Sequence, residues 1–230
     1  MRTSAELREG YLSFFEEKGH KRLPSWPLIP RADDRSTLLT SAGMQPQMPY
    51  FLGREEPPAP KTTTAQKCFR TPDIDDVGLD GHHLTFFEML GNFSFGQYFK
   101  EGAIELAAEF VQERLKLDWD RIWATVHAGD PELGLGEDAV SIAIWEQNGM
   151  PRDRIVGLPT TENFWDVGGP GPCGPGPISG GSGQDSQGSS SGKSGVSTPE
   201  SPRLASKASA HEPSSLAASS VSLIHWHISG

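Results

Sequence analysis

Arg70 stands where an anion-binding group would. It closes a threonine-rich, β-prone run at residues 61–70 and precedes a turn-rich acidic loop, TPDIDDVG, at 71–78. A second extended run, residues 83–95, follows the loop and carries Phe86, Phe87, Phe93 and Phe95. Two such runs joined by a long loop predict an antiparallel pair. A guanidinium on a rigid hairpin presents parallel N–H donors that suit a planar phosphate or carboxylate. Phe86, Phe87 and Met89 would offer a flat apolar platform for a base beside it. Alone, an aromatic run in a strand reads as core and a lone arginine as a surface charge, so the neighbouring motifs decide.

Three other groupings carry less chemistry. GSSSGKS at 188–194 has part of a phosphate-loop pattern, but Gln187 occupies its first glycine position and no strand precedes it. Residues 168–177 are glycine-rich, yet their prolines lack the N–H donors of a phosphate cradle, so a rigid turn at a pocket rim is the better account. Cys68 and Cys173 are the two cysteines, far apart and outside any CxxC spacing. They imply a reducing compartment, no disulfide framework and no metal-ligand set.

The elements that must position Arg70 are legible on both sides of it. Thr3 and Glu6 form a capping box, and Leu7, Tyr11, Phe14 and Phe15 make one apolar stripe of a helix that Gly19 ends. Pro24, Pro27 and Pro30 punctuate the next stretch; residues 36–40 then predict a short strand, and 48–60 a loop. Beyond the aromatic run, Ile104, Ala107, Ala108, Val111 and Leu115 predict an amphipathic helix over 100–116. A strand at 122–127 and a helix at 137–148, stopped by Gly149 and Pro151, complete an α+β pattern.

The net charge of −10 argues against holding nucleic acid by bulk electrostatics. Glu6, Glu9, Glu16 and Glu17 rule out a signal or transit peptide reading of the start, and the apolar run at 221–224 is too short to span a bilayer, so a cytoplasmic protein is expected. Serine, glycine, proline and alanine dominate residues 176–230. Such a stretch buries too little apolar area to offset its chain entropy and is expected to be disordered. The division is therefore 1–175, folded, and 176–230, tail.

The motifs around Arg70 carry a resemblance. HLTFFEMLGNFSFGQYFK, residues 83–100, closely resembles the motif 2 region of the alanyl-tRNA synthetase family. In the same order stand the first helix (6–20), TLLTSAGM (37–44), FLG (51–53), QKCFRTPDIDDVG (66–78), ENFWDVG (162–168) and GPCGP (171–175). The resemblance covers residues 4–175. It implies a class II aminoacyl-tRNA synthetase fold, an antiparallel sheet flanked by helices. It also implies ATP-dependent activation of alanine to alanyl-adenylate, with Mg2+ on the phosphates, and transfer to tRNA(Ala). Residue by residue, Arg70 matches the motif 2 arginine that bridges the α-phosphate and the amino-acid carboxylate. Phe87, with Met89 nearby, matches the adenine-stacking position, and Met44 and Trp165 match walls of the alanine pocket. His82 stands where many members carry arginine, and His83 fits a residue that orients the hairpin.

After Pro175 the expected Ser/Thr-Glu-Ile/Leu continuation is replaced by GPISGG, residues 176–181. A frameshift in GC-rich coding DNA and a genuine disordered tail both fit that change. Motif 3, the aspartate for alanine's amino group, the tRNA-binding and editing regions and the family's zinc site would lie beyond it. The expectation is an incomplete, aggregation-prone catalytic domain without aminoacylation of its own. The rival readings are a non-catalytic module that keeps adenylate or partner recognition, and a translated remnant with no function.

Overall fold

A computed structural model of the chain describes residues 3–71, 74–75, 77–79, 84–165, 174–175, 178–181 and 221–222; at 165, 175, 178–181 and 221–222 it describes the backbone alone. These residues all belong to one of the chain's two units, Met1–Ser182 with Ala217–Gly230; the other, Gly183–Leu216, lies outside the described residues.

Helix α1 spans Ser4–Glu17. Thr3 caps it, accepting from the Glu6 amide at 3.2 Å while the Glu6 carboxylate accepts from the Thr3 amide at 2.8 Å, the expected capping box. Gly19, at φ +80°, turns the chain out of the helix in a conformation that side chains resist. Strand β1, Lys21–Arg22, runs parallel to the start of β2, Lys61–Phe69. Between them lies the short helix α2, Met48–Phe51.

Strand β2 pairs antiparallel with β3, Phe86–Ser94, in unbroken register from Lys61 opposite Ser94 to Phe69 opposite Phe86. The hairpin read from the sequence is therefore present. Side chains alternate across it, and directly opposed residues share a face. Ala65, Leu90 and their neighbours face α1, where Tyr11, Leu12, Phe14 and Phe15 form a core with Phe110. Thr62, Thr64, Gln66 and Cys68, opposite Phe93, Gly91, Met89 and Phe87, form the other face.

Helix α3, Lys100–Glu109, continues through Phe110–Leu115 as a wider π-type turn and stops at Lys116, whose φ is +58°. With strand β4, Ile122–His127, and helix α4, Ala139–Gln147, it builds a second core around Ile104, Val111, Ile122, Val126 and Trp145. These three elements stand where the apolar periodicity puts them. Strand β5, Ile155–Leu158, runs parallel to β4. Helix α5, Thr160–Asn163, leads into β6, Phe164–Trp165, which pairs with β7, Gly174–Pro175.

Two expectations need correction. Residues 36–40 form no strand: the Thr40 amide donates to Leu28 O at 2.7 Å, and the Thr37 hydroxyl bonds Leu39 O at 2.7 Å, so local contacts take the groups that a ladder would use. The stretch 48–60 opens with α2 rather than loop, because Pro49 sits in the first turn, where its missing N–H costs nothing. The α+β class read from the sequence holds, with the main hairpin antiparallel and the short strands β1 and β5 joining their sheets in parallel. Strands β8, Ile178–Gly181, and β9, Val221–Ser222, are the described parts of the stretch expected to be disordered; they pair antiparallel with β4 and β3.

Candidate functional site

The face of the β2–β3 hairpin turned away from α1 is covered by the segment from Thr40 to Phe51. Thr40 O accepts from the Phe69 amide at 2.9 Å, which lays residues 40–41 along the end of β2. The Gly43 amide points at the Met89 sulfur, 3.1 Å away. Gln66, buried in the same face, binds the Trp26 backbone on both sides: it accepts from the amide at 2.8 Å and donates to the carbonyl at 3.0 Å. Thr62 donates to Gln47 Oε1 at 3.0 Å. Between Thr62 and Gln66, the hydroxyl of Thr64 is buried with no partner among the described residues.

Arg70 follows β2 at the open end of this face. Its amide donates to Thr85 O at 2.9 Å, extending the ladder one step beyond the strand. Its Nε donates to Ser41 O at 2.8 Å, and its guanidinium lies 5.2 Å from the centre of the Phe87 ring, within cation–π range. The residue is exposed, and its two terminal nitrogens have no partner among the described residues. A guanidinium held at Nε and supported by a ring has its plane set, and it turns its remaining donors outward as a fork for an anion.

Cys68, opposite Phe87, is fully buried. Burial pushes its thiol up to about 12 against the pull of the Arg70 charge, so it is an inert packing group.

The structure thus groups four of the five residues singled out from the sequence. Arg70, Phe87 and Met89 share one face of the hairpin, and Met44 belongs to the loop laid over it. Met44 itself is buried against Phe51 and Phe93, which gives it a packing role. The fifth, Trp165, is backbone-paired to Gly174 in the β6–β7 ribbon, and its side chain is outside what is described. Its segment is tied to β4: the Thr125 hydroxyl donates to Asn163 Oδ1 at 2.7 Å, and His127 Nε2 lies 3.0 Å from the Thr160 hydroxyl. His82, His83 and Cys173 lie outside the described residues.

Sequence reasoning missed the groups that hold the Ser41 loop. Gln45 accepts from the Ser41 amide at 2.8 Å and donates to Asp34 at 2.8 Å and Thr37 at 2.9 Å. Burial pulls the Asp34 carboxyl up, but hydrogen bonds from Ser36 and Gln45 outweigh it and hold the group below its ordinary value. The signal was present only as polar side chains spaced close together in a loop.

Comparison with known proteins places this geometry in context. The family described as tRNA synthetases class II (A) matches residues 6–197, which runs past Pro175 into the serine-rich stretch. The chain is similar to the alanine–tRNA ligase of Caldicellulosiruptor saccharolyticus, 54% identical over 171 residues, covering 74% of this chain and 18% of that protein. It is similar to that of Dehalococcoides mccartyi, 52% identical over 176 residues, 76% of this chain and 19% of the relative. The Rubrobacter xylanophilus enzyme is 51% identical over 173 residues, with 75% and 19% covered. The chain spans about a fifth of the length of these curated relatives. With a family match over most of its residues and the hairpin in place, the chain belongs to the class II (A) tRNA synthetases.

Proposed function

We propose that this chain supplies the nucleotide-binding hairpin of an alanine–tRNA ligase. The observation that carries the reading is Arg70, fixed at Nε by Ser41 O and against Phe87, with its outer donors turned to solvent. In the reaction, a carboxylate oxygen of alanine attacks the α-phosphorus of ATP. The bond from that phosphorus to the bridging oxygen breaks, and pyrophosphate leaves with the electron pair. A hydroxyl at the 3′ end of tRNA(Ala) then bonds to the alanyl carbonyl carbon and gives up its proton, and AMP leaves with the electron pair of the bond between that carbon and the phosphate oxygen.

The work assigned to this chain is positioning. Arg70 holds a non-bridging α-phosphate oxygen and the attacking carboxylate together, and its charge offsets the negative charge that gathers there. Removing one such preorganised donor costs about 3–4 kcal/mol of barrier. Phe87 and Met89 support the adenine. Met44 shapes the loop over the pocket from its buried position, and Trp165 is assigned to the alanine pocket by its motif. Mg2+ comes bound to the nucleotide phosphates in this reading and neutralises charge there. Among the described residues no group of three or more His, Cys, Asp or Glu would hold it alone.

The test is a titration of the whole chain with adenosine, AMP and Mg·ATP, beside the Arg70→Ala variant. Affinity that rises with the phosphates in the wild type, and loses at least about tenfold for Mg·ATP in the variant, supports the reading. Equal Mg·ATP binding by both proteins refutes it.

A further inference from the structure

We infer that Gln45 is a positioning residue for Arg70, acting through the backbone of Ser41. This deepens the proposed function and rests on it. All the hydrogen-bonding capacity of the Gln45 side chain is spent around this loop. Its Oε1 accepts from the Ser41 amide at 2.8 Å and lies 3.3 Å from the Ser41 hydroxyl, while its Nε2 donates to Asp34 Oδ2 and to Thr37 Oγ1. Asp34 is itself anchored, accepting from the Ser36 amide at 2.9 Å and hydroxyl at 2.6 Å.

The geometry gives this network one outlet toward the site. Ser41 is gripped at its amide by Gln45 and offers its carbonyl to Arg70 Nε at 2.8 Å. Thr40 before it and Gly43 two residues after it are fixed independently, by Phe69 and Met89. What Gln45 adds is the orientation of the Ser41 peptide, and the Ser41 carbonyl is the only hydrogen-bond partner of Arg70's side chain among the described residues. A guanidinium whose plane is set before an anion arrives loses less freedom on binding it. Gln45 touches no ligand in this account; it sets the aim of the residue that does.

The test is a double-mutant cycle on the whole chain, reading Mg·ATP and adenosine affinity for wild type, Gln45→Leu, Arg70→Ala and the double variant. The expected result is about a fivefold loss of Mg·ATP affinity in Gln45→Leu, the scale of one hydrogen bond. Adenosine affinity should stay unchanged, and Gln45→Leu should add no loss on top of Arg70→Ala. An unchanged Mg·ATP affinity in Gln45→Leu overturns the inference. So does an equal loss for adenosine, or a full loss in the Arg70→Ala background, since either marks a merely structural role. Should Gln45→Leu unfold, Asp34→Ala removes the support one step further out and must show the same pattern with a smaller loss. Arg70→Ala binding Mg·ATP as wild type does would instead sink the proposed function itself, so the two failures are distinguishable.

Discussion

Arg70 shows what residue types can and cannot disclose. Its place at a strand end beside an aromatic strand was readable, because alternation and a turn-rich loop dictate a hairpin. The partner that aims it was not. Ser41 acts through its carbonyl, which every residue carries, and Gln45 is one of several polar side chains in a loop. Met44 was singled out by its motif alone, and its side chain is packed in a cluster with Phe51 and Phe93. Thr64 gives a prediction at this scale. Its hydroxyl is buried and unpartnered, so Thr64→Val, nearly the same shape without the polar atom, should leave stability within about 0.5 kcal/mol of wild type or raise it. A clear drop in the denaturant midpoint would mean that the hydroxyl has a partner in solution.

Among the elements, those with a self-contained signal were legible and those that borrow a neighbour were not. Helix α1 announced itself by the Thr3–Glu6 box and its apolar stripe, and α3, β4 and α4 by period. Strands β1 and β5 are short and exist by pairing in parallel with β2 and β4, which no local pattern specifies. Residues 36–40 had strand propensity but spent their polar groups locally. The join between α3 and α4 rests on Asp138. It caps α4 through the Ser141 amide at 3.2 Å and hydroxyl at 2.7 Å, and it pairs with Lys100 at 2.6 Å. Asp138→Ala leaves Lys100 unpaired and α4 uncapped. A loss of about 2 kcal/mol is expected, moderated because Lys100 is partly solvated. Chemical denaturation measures it; a variant as stable as wild type would show that the cap and ion pair contribute nothing.

At the scale of the whole molecule, one core lies between the hairpin and α1 and another gathers around α3, β4 and α4, while the net charge of −10 argues against holding nucleic acid by bulk electrostatics. Among the described residues no helix is long and apolar enough to cross a membrane. A buried polar chain ties α1 to the hairpin: Tyr11 donates to Asn92, Asn92 to the Tyr98 hydroxyl, and that hydroxyl lies 2.8 Å from His20 Nε2. Burial, with the Lys61 charge nearby, lowers His20 to about 4 from its ordinary 6.5, so it is neutral in the folded chain. The unfolded chain takes up that proton first. Stability should therefore fall as pH drops from about 6.5 toward 4, and rise again on returning to neutral. Melting temperatures across that window check it, with His20→Gln expected to flatten the slope; a wild-type curve without slope would contradict the burial assigned to His20.

The most direct measurement of the central claim is a calorimetric titration of the whole chain with a non-hydrolysable alanyl-adenylate mimic, an alanyl-sulfamoyl adenosine. The comparison proteins are Arg70→Ala and Arg70→Lys. If Arg70 bridges the phosphate and carboxylate positions, the mimic binds the wild type more tightly than adenosine does. It then loses at least about tenfold in Arg70→Ala and most of that in Arg70→Lys, because a lysine cannot reproduce the planar fork. Equal affinity across the three proteins, or a mimic that binds no better than adenosine, would contradict the account.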